Sequence, residues 1–310
     1  MKIGLVDVDG HHFPNLALMK LSAWHKAHGD SVEWVNPFFE YNKVYMSKVF
    51  TFSEDYPYAI RAREIIKGGT GYGKYESLPE EIEYTFPDYS IYPSCDYAIG
   101  FLTRGCIRNC PWCIVPKKEG WIRAANTWEN VKRSDSRDIV FMDNNVLACD
   151  WGREQMAGMI GKGVRVDFNQ ALDARLLDDQ IAKVIARLKW IQFIRFACDT
   201  SAMIPVVGKA VEMLKKYGVR PKRLFIYALI QDTGEALERI KALDKMGVEV
   251  FAQPYRDFTG GAEPTAEQRR MARWCNNKFV FRATTFENYS TRKDVTKCHY
   301  QMSYTDTVDG

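Results

Sequence analysis

Asp96-Tyr97-Ala98-Ile99-Gly100-Phe101-Leu102-Thr103-Arg104-Gly105-Cys106-Ile107-Arg108-Asn109-Cys110-Pro111-Trp112-Cys113 carries an apolar strand straight into three cysteines. Tyr97–Leu102 reads as the strand. In the loop that follows, Gly105 permits a sharp turn and Pro111 stiffens the chain. Cys106, Cys110 and Cys113 stand at Cys-x3-Cys-x2-Cys, a spacing from which three thiolates can converge on one metal centre. A structural zinc site takes four protein ligands. Here only three are local, and the five histidines (His11, His12, His25, His28, His299) lie far away in sequence. An iron–sulfur cluster normally takes four cysteines, so one held by three keeps an iron open, and an open coordination position is where chemistry can happen.

Downstream the rhythm is regular. Asp138–Met142, Val164–Phe168, Phe193–Ala197, Leu224–Ile230 and Val248–Gln253 read as five more strands. Between them lie helical stretches: Arg153–Ile160; Asp178–Leu188, with Ile181, Val184, Ile185 and Leu188 on one face; a helix carrying Ile204, Val207, Val211 and Leu214; and one carrying Leu237, Ile240 and Leu243. Thr265–Asn276 is a last helix, with Glu267 weakly placed for a capping box at its Pro264 entry. Six strands alternating with helices predict an α/β fold with a parallel sheet. The count suits an incomplete (β/α)6 barrel better than a closed eightfold one, with an open doubly wound sheet as the alternative. In either, functional groups gather at the carboxyl ends of the strands, which is where the cysteine loop stands.

Upstream, Lys2–Asp7 reads as a buried strand. Leu16, Met19, Ala23 and Ala27 recur at helical spacing, Gly29 stops that helix, and Ser31–Val35 is a second short strand. From Asn36 to Ser94 periodicity is poor and aromatic residues are dense, with Ile65-Ile66-Lys67-Gly68-Gly69 as a further strand ending in a glycine turn. Phe38–Tyr58 reads as a substrate lid or as packing. The expected organisation is a small Rossmann-like α/β unit over 1–95, the partial barrel over 96–260, and a C-terminal helix and tail over 261–310.

With 310 residues, 46% of them hydrophobic and 26% charged, the chain has the make-up of a soluble globular protein and not of a disordered or collagenous one. Lys and Arg number 43 against 39 Asp and Glu, a net charge of +4. That is too weak to mark a nucleic-acid binder without a clustered patch. Two clusters are visible: Arg220, Lys222 and Arg223, and Arg269, Arg270 and Arg273 beside Trp274. Each reads as a phosphate- and base-contacting surface or as a solvated face. No apolar run is long enough to span a bilayer and no signal-like segment opens the chain, so a cytoplasmic location without membrane contact is expected. Cysteines there serve as metal ligands, catalytic groups or buried thiols more often than as disulfides.

Cys106, Cys110, Trp112 and Cys113 together match Cys-x3-Cys-x-aromatic-Cys, and about residues 97 to 258 resemble the radical S-adenosylmethionine (SAM) enzymes in motif and in βα order. That resemblance implies a 4Fe–4S cluster on the three cysteines, with SAM chelated at the fourth iron. It further implies a one-electron reductant of flavodoxin or ferredoxin type, and a 5′-deoxyadenosyl radical that removes hydrogen from a substrate. Trp112 is then expected near the adenine. Met142-Asp143-Asn144-Asn145 replaces the family's Gly-Gly-Glu, leaving Asp143 and Asn144 to meet the methionine ammonium. In Asn169-Gln170-Ala171-Leu172-Asp173-Ala174-Arg175, the resemblance points to Gln170, Asp173 and Arg175 as contacts for ribose and carboxylate. A structural ion pair between Asp173 and Arg175 is the alternative. Asp199 is placed for cofactor or substrate, or as an N-cap. Gln231 and Asp232 match the adenine-side segment poorly, and Gln253–Asp257 is a candidate for substrate contact.

The N-terminal unit resembles a trimmed cobalamin-binding domain. Asp9, however, stands where the cobalt-ligating His belongs, which argues against bound cobalamin. Residues 1–94 contain no cysteine, which argues against a methylthiotransferase with a second cluster; Cys298-His299 is the only other close ligand pair. The substrate is unidentified, with nucleotide or nucleic acid ahead of peptide. The competing readings are a non-catalytic 4Fe–4S electron-transfer or sensing protein and a zinc-stabilised binding module.

Overall fold

Ile3, Leu5 and Val6 put continuous apolar surface on both faces of β1 (Lys2–Asp7), as a central parallel strand requires. The structure, a computed structural model, describes residues 1–10, 13–257 and 263–290. His11, His12, Cys298 and His299 lie outside the described residues. The chain forms two compact units, Met1–Ile194 and Arg195–Asp257, the second taking in residues 263–290 as well.

In the first unit β1 is followed by α1 (Leu16–Ala27), whose N-cap Asn15 accepts from the Leu18 amide. Then come β2 (Ser31–Trp34), β3 (Glu40–Ser47) and β4 (Arg61–Gly68), giving a sheet of order β2-β1-β3-β4 in which every pair is parallel. Parallel strands need a crossover, and the one from β2 to β3 is short. A Cβ on Gly4 would lie 2.7 Å from Val35, 2.9 Å from Val44 and 3.0 Å from Tyr41. The returning segment therefore packs against β1 where β1 has no side chain. Tyr41 holds it there, its hydroxyl accepting from the Asn36 amide and donating to Glu33.

β3 and β4 occupy the stretch where periodicity was poor, and the expected strand at 65–69 is the second half of β4. The reason is its position: β4 is an edge strand, largely exposed, with Arg61, Arg63, Glu64 and Lys67 along it. After α2 (Glu80–Glu83) the first of the six regular strands, β5 (Ala98–Gly100), brings Ile99 into one apolar cluster with Ile3, Leu5, Leu18 and Met19. β5 is shorter than expected because a two-residue strand, β6 (Thr103–Arg104), leaves it for a separate antiparallel ladder with β7 (Arg123–Ala124). Between them stands α3 (Val115–Glu119). α4 (Trp128–Val131), β8 (Asp138–Phe141), α5 (Asp150–Gly158), β9 (Arg165–Phe168) and α6 (Asp179–Arg187) complete the unit, with β5-β8-β9 a parallel sheet.

The second unit holds β10 (Ile194–Ala197), α7 (Ile204–Lys216), β11 (Leu224–Ile230), α8 (Thr233–Lys245), β12 (Glu249–Pro254), α9 (Ala266–Asn276) and α10 (Lys278–Ala283). Its sheet has the order β10-β11-β12. Along β11 burial alternates: Leu224, Ile226, Ala228 and Ile230 are fully enclosed. Two expectations change here. The capping box of α9 pairs Thr265 with Gln268, three residues on, and not Glu267. The basic stretch of α9 is largely engaged: Arg270 donates to the carbonyls of Tyr289 and Phe286, Arg269 to that of Pro264, and Trp274 is buried, so its ring offers no face for a base.

All six expected strands are present in order, in two three-stranded sheets, and the fold is α/β with parallel pairing. No helix among the described residues is long and apolar enough to cross a membrane.

Candidate functional site

The cysteine loop is closed at its neck. The β6–β7 ladder pairs Thr103 with Ala124 and Arg104 with Arg123, and the Cys106 amide donates to the Gly120 carbonyl at 3.1 Å. Gly105 makes this possible. Its φ is +84°, and a Cβ there would sit 2.3 Å from the Trp121 carbonyl oxygen. Glu119, at the end of α3, ties the same neck from within. Its Oε2 accepts from the Gly105 amide (2.9 Å), Arg104 Nε (3.1 Å) and Asn144 Nδ2 (2.9 Å).

Within the loop Cys106 and Cys110 are half-buried and Cys113 is exposed; no described cysteine forms a disulfide. Trp112 is half-buried in the turn between Cys110 and Cys113. Cys106 Sγ accepts from the Arg108 amide (3.3 Å) and from Asn145 Nδ2 (3.4 Å). Arg175 brings positive charge beside Cys110 and Cys106. The three sulfurs are not yet gathered: among the described residues no group of three or more His, Cys, Asp or Glu side chains stands close enough to hold a metal ion.

The carboxyl ends of β8 and β9 meet this loop. Asp143 is fully buried, and it faces the backbone instead of an open site. Its Oδ1 accepts from the Thr103 amide and hydroxyl and its Oδ2 from the Leu102 amide, fixing the chain between β5 and β6. Burial pushes its pKa up to about 6 against those donors. Asn144 is committed to Glu119. Asp143 and the Asn144 amide nitrogen are thus engaged in holding the loop.

Asp173 and Arg175 form the ion pair that was the alternative reading. Asp173 Oδ1 accepts from Arg175 Nε (2.6 Å) and from its amide (3.1 Å). Oδ2 accepts from Arg175 Nη2 (3.0 Å), Arg108 Nε (3.0 Å) and Asn145 Nδ2 (3.3 Å). Burial works to raise the Asp173 pKa, but the bonds from Arg175 and Arg108 outweigh it and hold the carboxyl below its usual range. Gln170 is exposed, next to Ala171, whose φ of +75° is the one non-glycine value of that kind among the described residues. Strain of this sort collects at functional sites. Asp199 follows β10 in the second unit, half-buried, and caps no helix: the N-cap of the short turn after it is Thr200.

Three residues that the motif reading passed over organise the site. Arg108 lies inside the cysteine motif and was legible there as a cation. Asn145 closes the Met-Asp-Asn-Asn run; it is 3% exposed, and its Oδ1 has no hydrogen-bond partner among the described residues. Glu119 had no signal in sequence, since its partners become neighbours only when the ladder forms.

Two thiols elsewhere, Cys198 and Cys275, are buried. Burial raises the pKa of Cys198 to about 12 and of Cys275 to about 11, far from the thiolate range. Asp9, at the position of the cobalt-ligating His, accepts from the Val49 and Phe50 amides, both at 2.8 Å, and is 3% exposed. It anchors the chain after β3. No protein-family model matches the chain, and no curated protein matches it with significance.

Proposed function

We propose that this protein is a radical SAM enzyme, with Cys106, Cys110 and Cys113 holding a 4Fe–4S cluster and the six strands forming one partial (β/α)6 barrel around it. The observation that carries the reading is the closed loop at the mouth of β5, where the sulfur of Cys106 is met by the Arg108 amide and Asn145 Nδ2. The donor set fits: three thiols within eight residues of one loop, N–H groups and the Arg175 cation beside them, and no fourth cysteine or histidine in the loop. When bound, such a cluster supplies the electron that splits the sulfonium C–S bond of SAM.

The chain's own groups orient and enclose. Asn145 takes the role first given to Asp143 and Asn144. Its amide orientation is set by Asp173, a carboxylate that can only accept, so Oδ1 remains as an unpartnered acceptor for the methionine ammonium of SAM. Asp173 fixes both Arg108 and Arg175 through charge-assisted bonds. Arg175 thereby keeps its charge beside the thiols.

The test is anaerobic purification, reconstitution with iron and sulfide, reduction and addition of SAM, with 5′-deoxyadenosine measured by chromatography. The parent is expected to form it and a Cys106→Ala, Cys110→Ala, Cys113→Ala variant is not. A brown, cluster-loaded parent that forms none with several reductants shows an electron-transfer or sensing protein instead. A colourless parent with stoichiometric zinc overturns both. Asn145→Ala is expected to weaken SAM binding to the reconstituted protein about tenfold or more, the loss that goes with one hydrogen bond to a charged group.

A further inference from the structure

The β6–β7 ladder at the neck of the cysteine loop also lines a cleft of about 530 Å³ within the same unit, through Arg104, Arg123 and Ala124. Its floor is edge strand β5, at Ile99 and Gly100, with Phe101 just after it, and α4 forms one wall. A Cβ on Gly100 would stand 2.7 Å from Val131, so the floor is shaped by that glycine. We propose that this cleft binds a nucleotide, an aromatic base carrying phosphate, and is where a nucleotide substrate docks beside the cysteine loop. The docking role rests on the enzyme reading given above; the binding itself does not.

Three features point to that ligand. The first is flat apolar surface left open at the rim: Tyr84 is 66% exposed and Phe86 50%. Aromatic faces of this kind stack on bases without regard to sequence. The second is charge. Four cations line the cleft against two carboxylates. Lys20 is paired with Glu83, and Arg104 with Glu119 outside the lining, which leaves Arg123 and Lys132 against Glu129, all three exposed. The Arg123 side chain makes one bond, to the Glu119 carbonyl, and that of Lys132 makes none among the described residues. Unpaired cations beside open aromatic rings suit a phosphate attached to a base better than a peptide or a neutral lipid.

The third feature is the link to the cysteine loop. The Arg104 guanidinium lies 4.0 Å from the Phe101 ring centroid inside the cleft, while its Nε holds Glu119, which holds the Gly105 amide. A phosphate reaching Arg104 competes with Glu119 for that guanidinium. Occupation of the cleft is thereby transmitted to the neck of the loop through one side chain.

Calorimetric titration of the full chain tests this, with adenosine, guanosine, cytidine and uridine monophosphates, adenosine alone, inorganic phosphate alone, and a single-stranded RNA oligomer as probes. At least one monophosphate is expected to bind, with adenosine and phosphate each weaker by about tenfold or more. Lys132→Glu, and Tyr84→Ala with Phe86→Ala, are each expected to weaken binding about tenfold, and all three positions are exposed enough for the variants to fold. Tighter binding of the oligomer identifies a strand as the source of the nucleotide, and equal binding identifies the free nucleotide. The triple cysteine variant is expected to bind as the parent does, so a failed deoxyadenosine assay leaves this result intact. No binding of any probe below about 1 mM, adenosine or phosphate binding as tightly as the monophosphate, or rim variants indistinguishable from the parent would each overturn the proposal.

Discussion

Asp143 joins the mouth of β8 to the turn between β5 and β6, and its titration gives that joint a pH signature. Its folded pKa of about 6 lies above the ordinary 3.8, so the folded state favours the protonated carboxyl. The contribution is therefore full below 3.8 and is lost as pH rises through about 6. Asn at this position does not titrate. The stability advantage of the parent over Asp143→Asn should narrow with rising pH across that window, as read from urea melts at its two ends. At Gly105 the expectation is steric. Gly105→Ala combines a left-handed φ with a carbonyl 2.3 Å from the new Cβ. It should cost about 1–3 kcal/mol and lower the iron retained after reconstitution. Glu119→Ala, which leaves the Gly105 amide, Arg104 and Asn144 to find water, should have the same two effects at about 1–3 kcal/mol.

Among the elements, α8 carries the least satisfied group. Arg239 is fully enclosed against β11, with Nη2 on the Leu229 carbonyl and on Glu235 at 3.1 Å, while Nε and Nη1 have no partner among the described residues. A buried charge with donors to spare is a poor source of stability. Arg239→Met, of similar length and without the charge, should match or exceed the parent's stability in urea melts to within about 1 kcal/mol. The edge strand β4 and the ladder β6–β7 show why some elements were legible in sequence and others not. β8 announces itself because Ile139, Val140 and Phe141 are all buried and form an unbroken apolar run. β4 has one side without a partner strand, so charges fill positions that an interior strand gives to Val or Ile. β6 and β7 are two residues each and exist only because the loop between them closes.

Across the whole molecule, stability resides in the apolar clusters of the two units, with the half-buried and exposed thiols of the cysteine loop outside them. The triple cysteine variant should accordingly keep the parent's far-UV circular dichroism and melt within about 3 °C of the metal-free parent. The same division sets what could be read beforehand. The three cysteines and the six strands follow from spacing and runs of apolar residues, whereas the Asp173–Arg175 ion pair was one of two readings of those residues. The hydrogen bonds of Asn145 and Glu119 depend on which segments the fold brings together, and local sequence does not encode that. The crossing at Gly4 has a consequence in time. Because the segment carrying Val35 packs against β1 at Gly4 and leads into β3, we expect β3 to dock after β1 and β2 have paired. That order puts long-range parallel pairing ahead of any gain from β4, the kind of topology that folds slowly. In stopped-flow refolding Gly4→Ala should therefore slow the main folding phase more than it speeds unfolding, which would place the crossing in the rate-limiting step.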